Sequence, residues 1–288
     1  MNVCRYVHMK NILVALIFLG MESHVPSGFI RGQGVAMSAE ERELNFLFMR
    51  MQKASDDQTK QQINDTIVMK FGEVLNRPES FGMKFDSLRY CGNVVSSDGV
   101  VRIFTWNMVL SDLRNQYFGF LQVNRSGRDA KRTYFLKDSE DLGKDAAMKV
   151  YTPEHWYGCL IYKVLHNRYR GEDTYTLLSL DYNNLLSNKK IIDVLWFDAN
   201  DQPVFGKPVF QDEKGNLTNR VIFEYNAQAV MGLKWNDHLQ MIVYDHLSPV
   251  KPEFEGNYKF YGPDFSFDAY RFDKGVWVYV PDVNVLNE

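Results

Sequence analysis

The sequence of 288 residues contains none of the common signatures of catalysis. It has no His-Glu-x-x-His helix for zinc, no Gly-x-Ser-x-Gly turn for a nucleophilic serine and no phosphate-binding glycine loop. Basic residues are not in excess either, because 33 lysines and arginines are scattered among 36 aspartates and glutamates. Since nucleic acid and anionic lipid both attract a concentrated basic patch, neither is an expected partner.

Cysteine is scarce, with three residues in the chain. Cys4 falls in the extreme N-terminal segment, so Cys91 and Cys159 are the two that bear on the folded protein. In an oxidising compartment these two could form one disulfide across a long loop, and the alternative is a pair of buried free thiols. The context of Cys159, four residues after His155, matches no cysteine-hydrolase signature.

The apolar run at the N-terminus is too short to cross a bilayer as a helix, which takes about 20 residues. It covers residues 12–19 and follows Arg5 and Lys10. A basic segment before a short apolar run is typical of a cleaved secretory signal peptide, and no stable transmembrane anchor is expected. We therefore predict a signal peptide over residues 1–27, a linker over residues 28–37, and a periplasmic, outer-membrane-associated or secreted protein.

Residues 38–78 predict a helical hairpin. Ser38 and Glu41 have the spacing of a capping box at a helix start. A second helix is predicted to begin near Ser55 and to end before Pro78. The apolar residues at helical spacing are Leu44, Leu47, Phe48 and Met51 in the first helix and Ile63, Ile67, Phe71, Val74 and Leu75 in the second. The hairpin occurs once, so a helical repeat protein is not indicated.

Residues 79–288 predict a large antiparallel β-rich domain. From about residue 100 onward, short runs of β-branched and aromatic residues are separated by turn-forming residues such as those at 97–99 and 273–275. Most spacings suit hairpins and leave no room for a crossover helix, so we expect an antiparallel meander. It could close as a barrel, stack as a sandwich or form a partial propeller. The predicted fold class is α+β, mostly β.

A first candidate binding segment spans residues 153–158 and contains Trp156 and Tyr157 beside a carboxylate. Flat rings supply contact area and carboxylates accept hydrogen bonds, a mixture that suits a sugar or a peptide. We therefore predict Trp156 and Tyr157 as ligand- or partner-binding residues. The alternative is that loop aromatics of this kind close the ends of the core.

A second candidate segment spans residues 260–270 and has the same mixture of rings and carboxylates. Here Tyr261, Asp264 and Asp268 are the predicted ligand- or partner-binding residues. Asp264 and Asp268 could also act as paired carboxylates, but their spacing assigns neither a catalytic role. Catalytic residues therefore remain unassigned.

The histidines and acidic residues do not form a recognisable metal site. His238 and His246 fall on the less apolar face of a predicted strand, and eight residues of extended chain separate them by about 26 Å, too far to share one metal. We therefore interpret this face of the strand as facing solvent. The acidic turns at 198–201 and 212–216 lack the regular alternation of a calcium loop. We predict no metal site and no cofactor.

Five short strings in the second half of the chain carry a resemblance to known sequences. They are Lys190–Phe197, Pro203–Phe210, Arg220–Tyr225, Tyr244–Pro249 and Tyr261–Asp264. These strings resemble a group of uncharacterised exported proteins of Bacteroidetes-type bacteria, a family of unknown function. The resemblance implies an envelope location and carries no catalytic residue.

These observations predict an exported envelope or periplasmic protein that acts as a binding or scaffolding component. Its partner would be an envelope protein or a glycan, recognised by loops on a rigid sheet. The alternative is a secreted hydrolase or carbohydrate-active enzyme that uses carboxylates in the same loops. A cleft with two facing acids would favour the enzyme, and a flat apolar patch would favour partner binding.

Overall fold

The computed structural model describes residues 37–125, 131–139 and 145–285. Within these ranges two α-helices are followed by strands that form three mainly antiparallel sheets, which confirms the predicted fold class. The predicted signal peptide and all but the last residue of the predicted linker lie outside the described residues. In the part of the chain that is described, no helix combines the length and apolar character needed to span a membrane.

The two helices are α1 (Ala39–Lys53) and α2 (Asp57–Leu75). The predicted capping box begins α1, where the Ser38 side chain accepts from the backbone N–H of Glu41 and the Glu41 carboxylate accepts from the backbone N–H of Ser38, both at 3.1 Å. At the start of α2 the side chain of Asp56 accepts from the backbone N–H of Thr59 at 2.7 Å. These bonds satisfy backbone N–H groups that have no partner inside a helix.

The strands fall into three sheets. Sheet 1 has the order β1-β2-β3-β4 and sheet 2 the order β11-β7-β6-β5 with β8 on β7, while sheet 3 has the order β10-β9-β15-β14-β13-β12. Neighbouring strands are antiparallel except β9 and β15, which are parallel. The bounds are β1 Gly92–Val95, β2 Val101–Val109, β3 Asn115–Asn124, β4 Lys131–Lys137, β5 Leu160–Tyr169, β6 Glu172–Asp181, β7 Ser187–Phe197, β8 Pro203–Phe205, β9 Phe210–Gln211, β10 Leu217–Thr218, β11 Val221–Asn226, β12 Leu233–Asn236, β13 Met241–Pro249, β14 Tyr261–Asp273 and β15 Val276–Val280.

Sheet 1 is covered by the helices on one face and by sheet 2 on the other. The helix-side core joins the apolar faces of α1 and α2 to the rings of Phe104, Trp106, Phe118 and Phe120. Alternate residues of the same strands, such as Ile103 on β2, point into the core shared with sheet 2. The apolar stripes predicted for both helices are therefore the faces that pack against the sheet.

Sheet 2 lies between sheets 1 and 3, and its central strands are buried on both faces. On β6, Tyr175 and Leu177 belong to the core with sheet 1, whereas Leu178 belongs to the core with sheet 3. On β7, Ile191 belongs to the core with sheet 1 and Ile192 belongs to the core with sheet 3. Because successive side chains of a strand point to opposite faces, a strand between two cores needs apolar residues at consecutive positions. The predicted strands therefore stack as layers.

A buried ion pair holds the segment at 145–149 against sheet 2. The Nε of Arg220 lies 3.0 Å from Oδ2 of Asp193, and both side chains are almost fully buried. The guanidinium also donates to the backbone carbonyls of Ala146 and Lys149 and lies over the ring of Tyr151. These bonds and the aromatic contact compensate for the loss of water around the buried charges.

The disulfide considered for Cys91 and Cys159 is not formed, and both residues are buried free thiols. Cys91 belongs to the core between the helices and sheet 1, whereas Cys159 belongs to the core between sheets 1 and 2. Burial away from water raises the pKa of both thiols. Each therefore acts as a small core residue, which was the alternative considered from the sequence.

Candidate functional site

A groove of about 620 Å³ lies between α2 and the adjoining ends of β3 and β4. We call it the α2 groove. The helix lines it with Gln61, Asn64, Asp65, Val68 and Met69. Their spacing of three, four, seven and eight residues from the first places them along one side of α2.

The strands supply the opposite side of the α2 groove. Gln116 and Phe118 come from β3, and Phe135 and Lys137 come from β4. Each pair is two residues apart, so both members point to the same face of sheet 1. The rings of Phe118 and Phe135 form an apolar surface with Val68 of α2. The amide of Gln116 lies near the start of β3, and the ammonium group of Lys137 belongs to the last residue of β4.

The segment at 153–156 completes the groove. It is hydrogen-bonded to the end of β4, because the Lys137 N–H donates to the Pro153 carbonyl and the Trp156 N–H donates to the Lys137 carbonyl, each at 2.8 Å. This pairing leaves Glu154 and His155 exposed at the rim of the groove. The sheet register therefore fixes where the two polar side chains stand.

Asn64 is the buried polar residue of the groove, with 1 % of its surface exposed. Its Oδ1 accepts a hydrogen bond of 2.8 Å from the indole N–H of Trp106. Because the indole N–H can only donate, this bond fixes which end of the amide is oxygen. The Nδ2 donor has no partner among the described residues. A buried donor without an acceptor costs about 1–3 kcal/mol, so an acceptor brought by a ligand would relieve it.

Acidic side chains outnumber lysine and arginine among the described residues that line the α2 groove. Asp65, Asp138 and Glu154 contribute carboxylates, and Lys137 contributes an ammonium group. Asp138 also has a structural role, since its Oδ2 accepts from the backbone N–H of Tyr117 at 3.0 Å. The side chain of Glu154 makes no hydrogen bond or ion pair with the described residues and is available to a ligand.

The structure places Trp156 and Tyr157 in the core between sheets 1 and 2, where 1 % and 2 % of their surfaces are exposed. Neither ring is accessible at the surface of this fold. Their positions match the alternative given in the sequence analysis, in which such aromatics close the end of the core. Their neighbours Glu154 and His155 line the α2 groove instead. The segment at 153–158 therefore lines a groove, but with Glu154 and His155 and not with the two predicted rings.

The second predicted segment is not part of the α2 groove. Tyr261 is half-buried near the core between sheets 2 and 3, and its hydroxyl accepts from the backbone N–H of Gly256. Asp264 and Asp268 are brought together on either side of His246. The two segments predicted from the sequence, residues 153–158 and 260–270, therefore lie at two separate places in the fold.

His246 sits at a β-bulge between β13 and β14. The pairing shifts between Asp245 and Leu247, so His246 faces the extra residues of β14 around Asp264. Its Nδ1 is 2.7 Å from Oδ2 of the buried Asp268, and its Nε2 is 3.9 Å from Oδ2 of Asp264. The hydrogen bond with Asp268 raises the pKa of the His246 imidazole. The buried carboxylate orients the ring and leaves Nε2 able to exchange a proton.

We expect Asp268→Asn to lower the pKa of His246, because it removes the negative charge that favours the imidazolium. A raised pKa adds stability that is present below the unfolded value of 6.5 and is lost as pH rises through the folded value. The unfolding free energy of the parent should therefore fall as pH rises from 6.5 to the folded pKa of His246. In Asp268→Asn the unfolding free energy should depend less on pH over the same range. Ring-proton NMR titration and urea unfolding at several pH values test this. An unchanged His246 titration in Asp268→Asn would refute it.

Neither Asn64 nor His246 was predicted from the sequence as a functional residue. Asn64 stands at helical spacing from Ile67 and Phe71, so a polar residue inside an apolar stripe was the available signal. His246 was predicted to lie on the solvent-facing surface of a strand. The β-bulge that turns it toward two aspartates does not change the alternation of polar and apolar residues in the sequence, so it could not be predicted. In the described ranges, no group of three or more histidine, cysteine or acidic residues is placed to hold a metal ion.

Comparisons of the chain with protein-family models, with curated proteins and with solved structures gave no match.

Proposed function

We propose that this protein is an exported binding component of the cell envelope and that the α2 groove holds its ligand or a segment of its partner. The observation that carries the proposal is the amide of Asn64, a residue that lines the groove and whose buried Nδ2 donor has no acceptor among the described residues. Native proteins leave few such groups unpaired, and those that exist call for a structural or functional explanation. A bound group with an acceptor oxygen supplies one.

The shape of the groove supports the same function. Its volume of about 620 Å³ is in the range of sites that bind small molecules or short segments. Such sites combine an apolar lining with a few placed polar groups, as Phe118 and Phe135 do here with Asn64 and Glu154. The elements around it are a helix and two strands that share one core, so the groove is formed before a ligand arrives.

Site-specific photocrosslinking in the native host tests the proposal. A photoreactive amino acid replaces Met69, which lines the groove and is 56 % exposed. The matched control places it at Phe46 on α1, which is 53 % exposed and does not line the groove. Their similar exposure makes the two positions about equally able to react with molecules that collide at random.

We expect a defined adduct at Met69 and none at Phe46, identified by mass spectrometry after fractionation. Asn64→Asp should reduce the adduct, because it keeps an oxygen for Trp106 and replaces the free donor with a second oxygen. Circular dichroism and tryptophan fluorescence report whether that variant is folded. Equal labelling at Met69 and Phe46, or none at either, would contradict binding in the groove.

A further inference from the structure

The hydrogen-bonding pattern of Asn64 defines one part of the ligand. Its oxygen is occupied by Trp106, so the group that meets it must accept a hydrogen bond from Nδ2. Carboxylate, phosphate, hydroxyl and amide carbonyl oxygens all satisfy that requirement. The choice among them depends on the charges around the groove.

The three carboxylates at the groove disfavour an anion. Among the described lining residues, the carboxylates of Asp65, Asp138 and Glu154 outnumber the ammonium group of Lys137. Like charges repel by about 1 kcal/mol at 4 Å even in bulk water, and by more near a protein surface. The acceptor at Asn64 is therefore a neutral oxygen, and a cationic group elsewhere on the ligand gains from Glu154 and Asp65.

The apolar part of the lining suits an aliphatic stem that ends in a charge. Val68 and Phe135 form a half-buried apolar surface beside the exposed thioether of Met69. Lysine and arginine lay their methylene chains on such surfaces and keep the charged end at the rim. Methionine adapts its conformation to side chains of different shape.

We infer that the α2 groove binds a peptide segment that contains lysine or arginine, with a main-chain carbonyl on Asn64 and the cationic end beside Glu154 and Asp65. The inference rests on the proposed function of the groove and adds the class of ligand. A neutral glycan could meet Asn64 through a hydroxyl, yet it would bring no cationic group to Glu154 and Asp65.

The test uses the folded chain and short acetylated, amidated peptides with one fixed position and all others mixed. The fixed residue is lysine, arginine, Nε-acetyl-lysine or glutamate, and a glycan array is probed in parallel. Retention of each pool is measured on the parent, on Asp65→Asn with Glu154→Gln, and on a control pair. The control, Glu255→Gln with Asp273→Asn, removes the same charge from exposed residues outside the groove.

We expect lysine and arginine pools to bind above the acetyl-lysine and glutamate pools and to weaken as salt is added. Each groove carboxylate removed should lower affinity by about two- to fivefold, as for exposed ion pairs, and the control pair should have no such effect. Equal binding of acetyl-lysine pools, an equal loss in the control pair, or glycan binding without peptide binding would overturn the peptide assignment. A lack of crosslinking at Met69 would instead overturn the groove itself, so the two failures are distinguishable.

Discussion

Replacing Arg220 with methionine should lower the free energy of unfolding by about 3–5 kcal/mol, since it leaves a buried carboxylate without its cation. Asp193 is buried beneath Arg220, and desolvation already raises the pKa of its carboxyl. The substitution also removes the donors to the backbone carbonyls of Ala146 and Lys149. The Asp193 carboxylate would then be buried without its cation, and the carbonyl of the buried Ala146 would lose the donor that Arg220 supplies.

Urea denaturation followed by tryptophan fluorescence measures this effect. The matched control is Arg114→Met, since Arg114 pairs with Asp112 at 2.6 Å but both side chains are largely exposed. Exposed pairs contribute about 0–1 kcal/mol, so the control should change little. Adding Asp193→Leu to Arg220→Met should recover part of the loss by removing the unpaired charge. A loss in Arg220→Met no larger than in Arg114→Met would show that the pair is not needed.

The helices could be predicted with their caps because their signals are local. Ser38 and Glu41 are three residues apart, and the apolar stripes of α1 and α2 repeat at helical spacing. Strands were also recognisable, but their grouping into sheets depends on pairs distant in sequence. The parallel pairing of Phe210 with Trp277, for example, leaves no local pattern at either residue.

The candidate site was harder to predict because burial decides what each residue does. In the segment at 153–158, rings and polar residues are adjacent, and the sequence does not say which side faces water. Pairing of that segment with Lys137 turns Trp156 and Tyr157 into the core and Glu154 and His155 outward. The same limit applies to Asn64, whose free amide is defined by its contact with Trp106.

Gly158→Ala should lower the free energy of unfolding by about 2–5 kcal/mol, combining about 1–2 for a left-handed backbone with about 1–3 for overpacking. Gly158 has a φ of +76°, and a Cβ there would overlap the carboxylate of Asp138. That carboxylate accepts from the backbone N–H of Tyr117 and cannot move without breaking the bond. The substitution should therefore also disturb the junction of β4 with the segment at 153–156.

Comparison with Gly99→Ala separates the cost of the left-handed backbone from the cost of the overlap with Asp138. Gly99 has a φ of +69°, but nothing lies within 4 Å of the Cβ that alanine would add. It should therefore show the backbone cost alone, and urea unfolding of the two variants gives the cost of the overlap by difference. Because Asp138, Glu154 and His155 all line the α2 groove, Gly158→Ala should also reduce crosslinking at Met69, whereas Gly99→Ala should not. Equal stability and equal crosslinking in the two variants would mean that Asp138 yields freely and that the groove does not depend on its position.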